Sequence, residues 1–211
     1  MSTTQCVYVC RHGERQDFID PKWHLSAKHP DNPPLTKRGH QQGIELAEAL
    51  KSERISRIIC SPFIRCVETA NYIAEKLNIP ICIEHGICEI LYMVPPGYET
   101  VSKLKERFPL IDATYKPVLV PTVIEETDFE CVRRVEPVPK QVFKKFPSSE
   151  SLLFLAHGAS IFGILAALLE KGHYVGLATL SKLECDSSGK WKACYVGDAS
   201  HLSDKSNLRP Y

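Results

Sequence analysis

The chain is expected to fold as α/β, because an apolar strand ending on reactive side chains and followed by a helix occurs more than once along it. Cys6–Cys10 (Cys-Val-Tyr-Val-Cys) has the Val, Tyr and Cys content of a short buried strand and stops at Arg11, His12 and Gly13. Ser151–Ala156 (Ser-Leu-Leu-Phe-Leu-Ala) has the same character and stops at His157-Gly158. Arg57–Cys60 is a third short apolar run, and a helical pattern follows it. In an open α/β sheet, groups at the carboxyl ends of strands line a crevice where loops converge on a ligand. Arg11, His12, Arg15 and His157 are therefore expected in one crevice.

Gln16 to Pro34 is polar and carries Pro21, Pro30, Pro33 and Pro34, so a loop without regular structure is expected, forming one wall of the crevice. His24 and His29 within it read as solvated. From Thr36 to about Ser52, Gly43, Leu46, Ala47 and Leu50 recur at i, i+3, i+4 and i+7, the stripe of a surface helix capped by Thr36. After Arg57–Cys60, Ser61-Pro62 reads as an N-cap with proline at the first helical position, and Cys66, Ala70, Ile73 and Leu77 form one face. Arg65 then lies in the first turn, and helical side chains lean toward the N-terminus, so it aims at the same crevice. Ile79–Glu84 reads as a further strand, leading into His85-Gly-Ile-Cys-Glu89.

Between Ile90 and Glu150 stand 8 of the 15 prolines, which favours short helices and loops over one long helix. Glu99–Phe108 and Thr127–Phe146 are the helical candidates, the second broken at Pro137 and Pro139. The stretch of about 90–150 is expected to be a cap-like insertion over the site and the source of substrate choice. Ile161, Ile164, Leu165 and Leu168 mark an apolar helix stopping near Gly172, and Ala178–Cys185 and Trp191–Val196 read as a strand pair turning at Asp186–Gly189. The tail from about 198 is polar and expected to fray. The 211 residues read as a single domain.

Charge narrows the function classes. With 26 basic against 25 acidic residues and no long basic run, neither general nucleic-acid binding nor a membrane-surface role is expected. The amino terminus lacks a signal-peptide pattern and no apolar stretch is long enough to span a bilayer, so a cytoplasmic protein is expected. Nine cysteines without a Cys-x-x-Cys pair read as reduced core thiols, and no metal site or cofactor follows from them. The oligomeric state is left open, a homodimer included.

The chemistry permitted at the crevice is phosphate chemistry. Arg carries a permanent charge on a planar fork that matches phosphate oxygens. His, with a reference pKa of about 6.5, is substantially neutral and nucleophilic near pH 7. Gly13 lets the backbone turn and approach a ligand.

Arg11-His12-Gly13, Ser61-Pro62 with Arg65 and Thr69, Glu89, and Ala156-His157-Gly158 together resemble the histidine phosphatase superfamily, the phosphoglycerate mutase-like fold, over nearly the whole chain. The resemblance implies a three-layer α/β/α sandwich with a mostly parallel sheet. It implies a metal-independent phosphomonoester hydrolase in which His12 attacks phosphorus. Arg11, Arg65 and His157 would hold the phosphoryl oxygens and Glu89 would protonate the leaving group. Arg-His-Gly-Glu-Arg at 11–15, Cys60–Ala70 and Thr114–Pro117 are most similar to the branch containing the ecdysteroid-phosphate phosphatases and the suppressor-of-T-cell-receptor-signalling phosphatases, which implies that Arg15 also lines the phosphate site. The substrate expected for this chain is a phosphoprotein, a steroid phosphate or a small organic phosphate. This chain departs from it just after the acid, at Ile90, Leu91 and Tyr92. Phosphoryl transfer of the mutase type and a silent phosphate-binding scaffold are the alternatives, and Arg15 counts against the mutase branch.

Overall fold

The computed structural model describes residues 5–93, 95–122 and 125–210. Strands β1 (Gln5–Arg11), β2 (Ile55–Cys60), β3 (Ile81–Ile83), β4 (Ser151–Ala156), β5 (Leu180–Cys185) and β6 (Trp191–Asp198) make one sheet in the order β3-β2-β4-β1-β5-β6. The first four in chain order run parallel, and β5 and β6 add an antiparallel edge beside β1.

Alternation along the strands separates two cores. Tyr8, Cys10, Ile58, Cys60, Leu153 and Leu155 face one side, against the buried stripes of α2 (Lys37–Leu50) and α3 (Ile64–Leu77). Val7, Val9, Ile59, Leu152, Phe154 and Ala156 face the other, against α5 (Asp128–Val135), α6 (Val138–Phe143) and α7 (Gly158–Leu169). These are the three layers expected. Among the described residues no helix is long and apolar enough to cross a membrane.

The expected helices form, with instructive differences at their ends. Thr36 caps α2 by accepting from Gly39 N. Ser61 does not cap α3. The helix begins at Ile64 after Phe63, and Ser61 Oγ lies before it, accepting from Phe63 N at 3.4 Å and bonded to His157 Nε2 at 2.7 Å. The 16–34 loop is not devoid of regular structure: it contains a 3₁₀ turn at Gln16–Phe18 and the short α1 (Trp23–Ser26). Asp20 starts that helix, its carboxylate accepting from Lys22 N and its carbonyl from Trp23 N, while the prolines lie outside it. Helix α7 ends at Leu169, before Gly172, with Glu170 taking the left-handed conformation at φ 59°.

Residues 90–150 contribute mainly to the outer layers. Helix α4 (Val101–Arg107) sends Leu104 into the α2–α3 core, and α5 and α6 pack beside α7. Pro137 precedes α6 and Pro139 sits in its first turn, which is where the expected break falls.

The tail is the clearest correction. Instead of fraying it folds back along the molecule: Leu202 is buried, Leu177 N donates to Leu208 O at 2.7 Å, and the Arg209 guanidinium stacks over Phe18 at 4.0 Å. A polar composition hid the two leucines that anchor it.

Candidate active site

Parallel pairing of β1 with β4 and of β4 with β2 brings the three strand ends together. Arg11 pairs with Ala156 and Cys60 with Leu155, so His12, Ser61 and His157 leave the sheet side by side. His12 N still donates to Ala156 O at 3.2 Å and Ser61 N to Leu155 O at 3.1 Å. The rings of His12 and His157 end 5.2 Å apart, centre to centre, at 60°.

His12 is buried, and its Nδ1 lies 2.7 Å from Gly13 O. A carbonyl can only accept, so the proton resides on Nδ1 and the lone pair on Nε2. Nε2 is buried and has no hydrogen-bond partner among the described residues. Burial, reinforced by Arg65 and Arg11, holds the pKa of His12 well below its ordinary value. The imidazole is therefore neutral, with its nucleophilic nitrogen facing the crevice. His157, also fully buried, is held neutral by burial, Arg65 and His12.

Three guanidiniums converge here. Arg65, completely buried in the first turn of α3, donates from Nη1 to Asp31 O at 3.3 Å and from Nη2 to Glu89 Oε2 at 3.5 Å. Arg11 is fixed through Nη1 by Val175 O at 2.9 Å and Arg209 O at 2.5 Å, and burial lowers its pKa to about 10, so it remains charged. Arg15 makes a two-pronged bond to Asp17 at 2.7 and 2.6 Å and reaches Glu89 Oε2 at 3.9 Å. Glu89 Oε2 also lies 3.4 Å from His157 Nδ1. All six expected residues thus meet, with the Glu89 carboxyl at the centre of the cluster.

Donor atoms of His12, Glu89 and His157 fall within 4.8 Å of one another, a spacing that could hold a metal ion. A cation there would meet Arg11, Arg15 and Arg65, so the charge favours an anion. A depression of about 650 Å³ beside Gln5, Glu184, Asp186 and Lys192 lies at the opposite ends of these strands. The chemistry is where the charges converge, not there.

Gly13 serves packing rather than a special turn. A Cβ on Gly13 would come within 2.6 Å of Gly39 O, and one on Gly39 within 2.1 Å of Glu14 O. The loop carrying His12 thus lies directly on the start of α2. Thr69 adds a second tie, accepting from Gly13 N at 3.2 Å and donating to Arg65 O at 2.8 Å.

Residues 7–195 match the family model of the histidine phosphatase superfamily (branch 1). The chain belongs to that superfamily. Among its relatives, the transcription factor tau 55 kDa subunit of Saccharomyces cerevisiae is 33% identical, covering 77% of this chain and 40% of its own length. The human ubiquitin-associated and SH3 domain-containing protein B is 27% identical, covering 74% of this chain and 30% of its own length. The chain thus spans well under half of these relatives. The ecdysone phosphate phosphatase of Bombix mori, solved with tungstate, shares the fold at a TM-score of 0.76 and 20% identity, with 96% of each chain covered.

Several partners that hold these superfamily residues in place lack a sequence signature. Val175, Arg209 and Asp31 act through backbone carbonyls, which any residue carries. Glu14, a conceivable acid from its position, is instead occupied by Thr36 Oγ1 at 2.7 Å and Arg38 at 2.9 Å. Asp17 is taken by Arg15. Cys66 Sγ lies 3.5 Å from His157 Nε2, but burial pushes its thiol up to about 12, so it is no nucleophile. Cys10, Cys60, Cys82, Cys88 and Cys131 are likewise buried, whereas Cys6 and Cys185 are partly exposed and Cys194 is exposed, so the expectation of core thiols does not reach those three.

Proposed function

We propose that the chain is a phosphomonoester hydrolase working through a phosphohistidine at His12, on a phosphoprotein, a steroid phosphate or another small organic phosphate. The observation that carries this reading is the buried Nε2 of a neutral His12, unpartnered among the described residues and within the electrostatic influence of Arg65, Arg11 and Arg15. Nε2 bonds to phosphorus as the bond from phosphorus to the ester oxygen breaks, and Glu89 gives its proton to that oxygen. Glu89 then takes a proton from water, whose oxygen displaces Nε2 and releases inorganic phosphate. Arg11, Arg15, Arg65 and His157 hold the equatorial oxygens, where charge accumulates.

The expected result is hydrolysis of p-nitrophenyl phosphate at a rate unaffected by EDTA, since fixed guanidiniums do what metal ions do elsewhere. Loss on chelation with recovery on adding a divalent ion would overturn the mechanism. A screen of peptide, steroid and sugar phosphates then ranks the substrates, and transfer to 3-phosphoglycerate rather than water would mark a mutase. The yeast relative's name, a transcription-factor subunit, favours one second reading: a silent domain used in assembly. That reading requires no phosphate release from any ester in the screen.

A further inference from the structure

Glu89 stands on a segment that has little regular structure of its own, a 3₁₀ turn at His85–Ile87 followed by extended residues. A general acid must nevertheless meet the leaving oxygen within a narrow range of distance and angle. The backbone around it is gripped from beneath by one side chain. Arg134 of α5 donates to Gly86 O at 2.8 Å, to Cys88 O at 3.3 Å and to Glu89 O at 3.1 Å. Its fork is aligned by Glu126, with Nε to Oε1 at 2.6 Å and Nη2 to Oε2 at 2.7 Å. Glu126 holds the same segment, accepting from Leu91 N at 3.2 Å and donating its own N–H to Leu91 O at 2.7 Å. Ser160 of α7 adds a bond from Oγ to Cys88 O at 2.7 Å.

The ion pair is almost wholly buried, the two side chains being 6% and 1% exposed. Desolvating two charges is costly, and a well-packed apolar pair is often as stable, so stability alone is a poor account of its presence. With every nitrogen of Arg134 engaged, the guanidinium has no free edge for a phosphate. What it does have is a grip on three carbonyls at and just before Glu89, those of Gly86, Cys88 and Glu89.

We propose that Arg134, aligned by Glu126 and assisted by Ser160, is a positioning residue for Glu89: it touches no substrate and sets where the proton-donating carboxyl stands. This rests on the reading of Glu89 as the acid. Lys at 134 keeps the charge facing Glu126 but cannot span three carbonyls.

The test compares kcat/KM on p-nitrophenyl phosphate, whose leaving group departs without a proton, with that on a simple alkyl phosphate, which needs one. Arg134→Lys is expected to lose ~10- to 100-fold on the alkyl ester and no more than ~3-fold on the aryl ester, the pattern of an impaired acid. Ser160→Ala should shift the same way by less, and guards against misfolding of the first variant. Glu89→Gln should show the same selectivity in stronger form. In its background Arg134→Lys should add no further selectivity. If Glu89→Gln is selective while Arg134→Lys and Ser160→Ala lose equally on both esters, the positioning role is wrong and the acid assignment stands. A wild type without turnover, or a uniform loss in Glu89→Gln, overturns the underlying reading and this one with it.

Discussion

His12→Ala is expected to lose at least ~10⁴-fold in kcat on p-nitrophenyl phosphate, because it removes the atom that forms the covalent intermediate rather than one of several groups that stabilise it. Among the described residues the ring's one hydrogen bond is that from Nδ1 to Gly13 O at 2.7 Å, and the backbone bonds of His12 do not depend on its side chain, so the fold should survive. The variant should melt within a few degrees of wild type. A wild-type sample quenched with alkali and denaturant during turnover of a ³²P-labelled ester should carry a base-stable, acid-labile label on His12, and the variant none. Exogenous imidazole offers a further check, since it supplies the missing nitrogen to a crevice whose cations are intact. Retention of label in His12→Ala, or of more than a tenth of the activity, would place the nucleophile elsewhere.

Much of this crevice was legible from residue type and order. The runs Cys6–Cys10 and Ser151–Ala156 announce strands, and a histidine after each announces where the strands end. Their adjacency depends on parallel pairing of strands far apart in sequence, which the connection rules for α/β sheets supply. Other features lie below the resolution of a sequence pattern. Ser61 has the local signature of a helix cap, yet its Oγ is bonded to a tertiary partner, His157, and the helix starts at Ile64 instead. The tail has the composition of a frayed end, yet Leu202 and Leu208 pin it and Arg209 O helps to fix Arg11. Arg134 follows Arg133 on the same helix, and nothing in the pair says that one grips the Glu89 segment while the other stacks on Phe129. Backbone acceptors decide most of these cases, and they carry no letter in the sequence.

Arg65→Met is expected to separate activity from stability. Arg65 is completely buried, its Nε has no hydrogen-bond partner among the described residues, and it feels the charge of Arg15. Burying this charge near Arg15 disfavours the folded state while its bonds to Asp31 O and Glu89 favour it, so a neutral side chain of similar reach should move the melting temperature by only a few degrees. Activity should fall far more. Loss of a preorganised donor to the transferring phosphoryl group costs on the order of 10²-fold or more in kcat/KM. The pH profile identifies a second contribution. After burial, Arg65 is the largest influence holding His12 below its ordinary pKa, and removing a positive neighbour makes protonation easier. The pKa of His12 then rises, and at a given acidic pH more of the imidazole is protonated and unable to attack. The variant's deficit should therefore grow as pH falls and should not grow toward alkaline pH. A deficit constant across pH would reduce Arg65 to a phosphate anchor. A fall in melting temperature parallel to the loss of activity would make it a structural residue instead.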